Sequence, residues 1–214
     1  MSEPSISSHS LASITRSSAL DEETARAEIY GLLAALYYAP PAAELLVSLR
    51  AAVTEAPAAG AFLEEPWRAL VAAARTLGDE AIRQEYNALF GGIGKPEVYL
   101  FGSHYLSGFL NEKPLAKLRG ELQVLGLSRD ESMPETEDHI AYLCEVMRYL
   151  IAGDDVAVAN LTQQRNFFSD HLQPWVPLLC TAIASHPKAR FYASLSAFTA
   201  AFVDVEAQGF DMLT

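Results

Sequence analysis

Ile29-Tyr30-Gly31-Leu32-Leu33-Ala34-Ala35-Leu36-Tyr37 places Ile29, Leu32, Leu33, Leu36 and Tyr37 at i, i+3, i+4, i+7 and i+8. That spacing gathers side chains on one face of an α-helix. Asp21, Glu22 and Glu23 stand at the front of the segment, and Pro40-Pro41 ends it. The same period continues outward. A second helix, opened by Pro41, is expected to turn Leu45, Leu46, Leu49 and Val53 inward. A third carries Leu70, Val71, Ala74 and Leu77 and stops at Gly78. A fourth begins at Asp79, a good N-cap, with Ile82, Tyr86, Leu89 and Phe90 on its apolar face and Gly91-Gly92 as its end.

Beyond it, a short helix over 103–110 groups Tyr105, Leu106, Phe109 and Leu110 on one side, and Leu115, Leu118, Leu122 and Leu125 mark the next, closed by Gly126. From Glu137, the pattern Ile140, Leu143, Cys144, Met147, Ile151 predicts a buried helix up to Gly153, followed by another over 155–171. Pro174 and Pro177 interrupt the chain before Leu178, Leu179 and Ile183; Phe191, Leu195, Phe198, Phe202 and Val205 define the last helix. No segment alternates with a two-residue period for long enough to read as a strand. The expected fold is all-α, a single-domain helical bundle of roughly eight to ten helices. Residues 1–19, rich in serine, are expected to be a disordered tail before a helical domain over 20–214.

Composition narrows the function. The chain has 214 residues, enough for a full core, and half of them are hydrophobic. A formal net charge of −12 argues against nucleic acid and anionic membrane surfaces and favours a cationic partner. Cys144 and Cys180 sit among apolar neighbours and read as buried thiols of a reducing compartment. No apolar run approaches the roughly 20 residues of a bilayer span, and the N-terminus lacks the apolar block of a signal peptide. A cytoplasmic protein, monomer or homodimer, is the expectation.

The chemistry concentrates in Pro134-Glu135-Thr136-Glu137-Asp138-His139-Ile140-Ala141. Three carboxylates and an imidazole in five residues call for a cation, a basic partner or screening water; an acidic helix start is the plain alternative. Glu135 and His139 are four apart, and a carboxylate–histidine pair can bind a metal or move protons. The other histidines show no ligand spacing to His139, so neither a metal nor a catalytic role is expected. There is no nucleophile elbow, no C-x-x-C pair and no phosphate loop; Gly91-Gly92-Ile93-Gly94-Lys95 lacks the Ser or Thr and the preceding strand. The irregular 91–102 stretch, with Pro96, Tyr99 and Phe101 among its glycines, is the candidate binding loop.

In their order these pieces resemble a family. Glu85-Tyr86-Asn87-Ala88-Leu89-Phe90-Gly91-Gly92 is similar to the E-Y-x-x-L-F-x-G segment of the TorD/DmsD/NarJ-type chaperones. Pro96, Ser103 and Tyr105 resemble that family's proline loop and S-x-Y element, and Glu135-Thr136-Glu137-Asp138-His139 its E-P-x-D-H hinge, with Thr136 where the hinge usually has proline. Phe167-Phe168, His171-Leu172 and Trp175 resemble a later F-x-x-x-H-L-x-x-W pattern.

The resemblance implies an all-helical cytoplasmic chaperone without catalysis or cofactor. Its implied partners are the N-terminal leader, commonly twin-arginine, and the apo-form of a molybdopterin oxidoreductase (formate dehydrogenase-like is one guess). Carboxylates pair with guanidinium by charge-assisted hydrogen bonds, and an apolar groove takes the hydrophobic stretch. Asp138, with Glu135 or Glu137, is expected to take the arginines. Tyr86, Leu89, Phe90, Pro96, Tyr99, Phe101, Ser103 and Tyr105 are expected to line or support the groove, and His139 to hold the hinge or touch the ligand. Two alternatives stay open: a NarJ-like assembly factor gripping the body of a non-exported molybdoenzyme, and a metal- or nucleotide-dependent hydrolase using Glu135, Asp138 and His139.

Overall fold

The computed structural model describes residues 9–54, 63–91, 95–110, 113–130 and 133–212. Among these residues the chain is all-α, with ten helices: α1 (His9–Tyr38), α2 (Ala43–Ala51), α3 (Glu64–Thr76), α4 (Asp79–Leu89), α5 (Gly102–Ser107), α6 (Lys113–Val124), α7 (Ile140–Ala152), α8 (Leu161–His171), α9 (Val176–Ala184) and α10 (Phe191–Asp211). Helix α1 begins inside the span expected as a tail, and residues 1–8 lie outside the described residues. Gly92, the second glycine of the α4 stop, also lies outside them.

α1 and α7 lie along one another as the most extensive helix pair, and α10 packs on α9 and α3. Tyr30, Leu33, Leu36 and Tyr37 of α1 and Leu143, Cys144, Met147 and Leu150 of α7 are buried. The α1 stripe is turned slightly from the expected one, with Tyr30 inside and Ile29 and Leu32 half-buried. Phe191, Tyr192, Leu195, Phe198 and Phe202 carry the core along α10, and Trp175 is fully enclosed.

Where local expectation and structure differ, helix ends are responsible. Val53 is 77% exposed because α2 stops at Ala51, so the helical period no longer aims it inward. α5 ends at Ser107, and Gly108 takes φ 79°, a left-handed conformation glycine adopts without penalty. Leu106, Phe109 and Leu110 are therefore exposed and do not form a buried helix face. α7 starts at Ile140, three residues later than Glu137, and Asn160 caps α8 by accepting the Gln163 N–H (3.1 Å).

Two polar ties join distant elements. Glu85 of α4 accepts the N–H groups of Arg190 (2.8 Å), Phe191 (3.1 Å) and Tyr192 (2.8 Å), so a carboxylate from another helix caps α10. Glu206 of α10 is held by the Arg26 guanidinium (2.6 and 2.8 Å) and the Tyr30 hydroxyl (3.0 Å), while Arg26 also reaches Gln164 (3.1 Å). Both cysteines are free and buried, and burial pushes the Cys180 thiol up to about 12. Among the described residues no helix is long and apolar enough to cross a membrane.

Candidate functional site at the hinge before α7

The loop after α4 and the hinge before α7 meet in an isolated antiparallel bridge between Phe101 and His139. The Ile140 N–H donates to the Leu100 carbonyl (2.9 Å) and the Gly102 N–H to the Asp138 carbonyl (2.9 Å). Successive side chains of extended backbone point to opposite sides. Asp138 consequently lines one cavity, of about 340 Å³, and His139 another, of about 280 Å³.

Asp138 is buried, with both carboxylate oxygens engaged: Oδ2 accepts the Ser103 N–H (2.9 Å) and Oδ1 the Thr136 hydroxyl (2.6 Å). Thr136 thus supplies a donor that a proline could not. His139 is buried beneath Phe101 (rings 5.0 Å apart) and beside Tyr38 (6.4 Å), and its Nδ1 accepts the Ala141 N–H (3.2 Å), capping α7. Burial pushes its pKa down to about 4, so the imidazole is neutral at pH 7. Glu137 accepts Arg119 Nε (3.0 Å) and Nη2 (2.8 Å), with Arg129 Nε at 3.8 Å. Burial opposes its charge, yet these guanidinium groups hold its carboxyl below the ordinary carboxylate range.

Glu135 differs from its neighbours. It is half-buried and forms no ion pair among the described residues. It lines the smaller cavity together with Ala34, Ala35 and Tyr38 of α1, Met133, and Ala141 and Tyr142 of α7, with Glu145 also at its edge. Glu145 is engaged by Arg148 (2.9 Å), an exposed ion pair. An apolar wall beside a carboxylate that has no ion pair among the described residues suits a cation on a long apolar stem.

The remaining expected residues divide. The Tyr86 hydroxyl donates to the carbonyls of Tyr38 (2.8 Å) and Tyr37 (3.2 Å), anchoring the end of α1; burial and the nearby Glu135 charge push it up to about 12. Leu89 is fully buried, and Phe90 joins Tyr37, Tyr86 and Tyr192 in an edge-to-face ring cluster. These three support the cavity's α1 wall without lining it. Pro96 is half-buried, Tyr99 stacks on His104 (4.1 Å), and the Tyr105 hydroxyl donates to the Tyr99 carbonyl (2.9 Å) while its ring stacks on Trp175 (5.6 Å). Phe101 and Ser103 are the loop residues brought directly against the hinge.

Tyr38, Met133 and Tyr142 were not legible as site residues. Tyr38 alone left a hint, as a large aromatic one position off the buried stripe of α1. Arg119 and Arg129, which neutralise Glu137, gave none. Among the described residues no group of three or more His, Cys, Asp or Glu side chains is placed to hold a metal ion. Glu135 and His139 line the smaller cavity and Asp138 the larger, so these three groups do not share one cavity.

A family profile described as nitrate reductase delta subunit matches residues 56–181. The chain belongs to this family. The match runs from before α3 into α9 and includes the bridge, the hinge and the walls of both cavities apart from α1. The similarity to the TorD/DmsD/NarJ-type group seen in the motifs therefore holds for the chain as a family member. Chaperone protein TorD from three strains of Vibrio cholerae serotype O1 is 25% identical over 112 residues, 50% of this chain and 51% of the relative. The match spans about half the length of these curated relatives.

Proposed function

We propose that this member of the nitrate reductase delta subunit family is a cytoplasmic maturation chaperone without catalytic turnover. It binds the arginine-bearing leader peptide of a molybdopterin oxidoreductase and holds it back from export until the apo-enzyme has received its cofactor and folded. Family membership and the likeness to chaperone protein TorD support the class of function. The observation that carries the site is Glu135, a residue with no ion pair among the described residues that lines an apolar cavity between α1 and α7. Asp138 and Glu137 are already hydrogen-bonded or paired within the protein, so Glu135 takes the receptor role and those two hold its loop. A leader's guanidinium meets Glu135 while its stem and the following apolar residues lie against Tyr38, Met133 and Tyr142.

Calorimetric titration with leader peptides in Arg-Arg and Lys-Lys versions tests this. The Arg-Arg peptide should bind tighter, because a carboxylate takes guanidinium bidentately and ammonium only as a point charge. Glu135→Gln should weaken it by about tenfold or more. Equal affinity for both peptides, or none for either, would sink the proposal. The exposed Leu106, Phe109 and Leu110 favour a second reading, an assembly factor that grips the folded body of a non-exported molybdoenzyme. Binding to the client body without its leader, lost on Phe109→Ser, would select that reading.

A further inference from the structure

The hinge that carries Glu135 is folded around an arginine from the preceding loop. Arg129 is half-buried, and its Nη1 donates to the Met133 carbonyl and to the Glu135 carbonyl (3.3 Å for the second). Its Nε stands 3.8 Å from Glu137 Oε1, while Arg119 of α6 takes the other oxygen, Oε2, through Nε (3.0 Å) and Nη2 (2.8 Å). The Met133 N–H donates to the Asp130 carbonyl (3.0 Å), which closes the turn between Arg129 and these acceptors. One guanidinium thus bridges three alternate positions, 133, 135 and 137. A planar fork with five donors in fixed directions suits several acceptors at once.

Two of the three held residues, Met133 and Glu135, line the smaller cavity. The Tyr38 hydroxyl of α1 donates to Met133 Sδ (3.4 Å), so Met133 is fixed from both sides. Burial, and after it the Glu135 charge, push the Tyr86 hydroxyl up to about 12, which puts the Glu135 carboxylate within electrostatic reach of the end of α1. Arg129 holds Glu135 by its backbone and directs its charge to Glu137, and the Glu135 carboxylate has no ion pair among the described residues. We infer that Arg129 is the positioning residue of the leader site: by clamping 133, 135 and 137 it fixes where the Glu135 carboxylate stands, and through that the preference for guanidinium. The inference rests on Glu135 being the leader's receptor. Bidentate pairing needs a carboxylate at a set angle, whereas a point charge or an apolar contact tolerates displacement.

The sign of the effect separates positioning from electrostatics. Arg129 is a cation beside a site for cations, in a chain of formal net charge −12. Removing its charge should by itself tighten a basic peptide; losing the clamp should weaken it. On the full chain, Arg129→Gln should weaken the Arg-Arg peptide about tenfold in calorimetric titration and bring its affinity toward that of the Lys-Lys peptide. Arg119→Gln removes the same charge from the same carboxylate but no contact to a hinge carbonyl, and should not weaken it. In a Glu135→Gln background, Arg129→Gln should cause no further loss. NMR of the free protein with methyl-labelled methionine reads the clamp without any leader: the Met133 signal should move on Arg129→Gln and stay on Arg119→Gln. Arg129→Lys, the milder variant, should show each effect at smaller size. Unchanged or tighter Arg-Arg binding on Arg129→Gln, an equal loss on Arg119→Gln, or an unmoved Met133 signal would each overturn the assignment. A wild-type protein that binds neither peptide, or both equally, defeats the leader reading instead, and the Met133 signal then still decides the clamp.

Discussion

Asp138 and His139 are adjacent in the chain and do different work on opposite faces of the bridge. Asp138 ties Ser103 and Thr136 together (2.9 and 2.6 Å). Asp138→Ala leaves the buried Ser103 N–H and the Thr136 hydroxyl without the acceptor they share. It should destabilise the fold by about 1–3 kcal/mol, read as a lower urea midpoint. His139 carries a pH signature. Its native pKa near 4 lies below the ordinary 6.5 of an imidazole because the ring is buried. Between those values the unfolded chain binds a proton that the native protein refuses. Its stabilising contribution is complete above pH 6.5 and is lost as pH falls toward 4, at up to about 1.4 kcal/mol per pH unit. Urea titrations across that window should show this slope, and His139→Asn, which keeps a capping acceptor, should flatten it. Parallel slopes for the two proteins would remove burial of His139 as the cause.

At the scale of elements, helix α10 depends on a residue that is remote in sequence. Glu85 receives three consecutive N–H groups at the start of this 21-residue helix. Glu85→Ala leaves those donors buried and removes a negative charge from the helix N-terminus. The expected loss is about 2–4 kcal/mol, measured by chemical denaturation. Binding of the Arg-Arg peptide to the protein that remains folded should be unaltered, because Glu85 stands at neither cavity. The apolar stripes of the helices were legible because burial follows the 3.6-residue period. Their ends were less so. The α7 start at Ile140 depends on the His139 cap, and the exposed Phe109 on the left-handed Gly108, neither of which the period of apolar residues records.

Across the whole molecule, Arg26, Gln164 and Glu206 join α1, α8 and α10, and Arg26 retains only 16% side-chain exposure. Glu206→Ala would leave that guanidinium largely buried without its anion, at a cost of about 3 kcal/mol. A smaller loss in thermal or urea denaturation would mean that Arg26 escapes to solvent. The overall charge of −12 acts at longer range. Under the proposed function it draws a basic leader from solution, so raising ionic strength should weaken the Arg-Arg peptide mainly through its association rate. Stopped-flow binding at low and high salt would show it; a salt-independent rate would leave the apolar wall as the main determinant.

The sequence by itself determined the helical architecture and the family, and it pointed to the neighbourhood of the candidate site. Apolar periodicity and the ordered motifs around Tyr86, Ser103 and His139 are local and survive without knowledge of packing. It could not assign roles among the carboxylates. That Asp138 is enclosed by Ser103 and Thr136, that Glu137 is neutralised by Arg119 and Arg129, and that Glu135 has no ion pair among the described residues depend on how the folded chain brings its segments together. A carboxylate's chemistry is set by burial and by the charges that face it, and only the tertiary structure decides which those are.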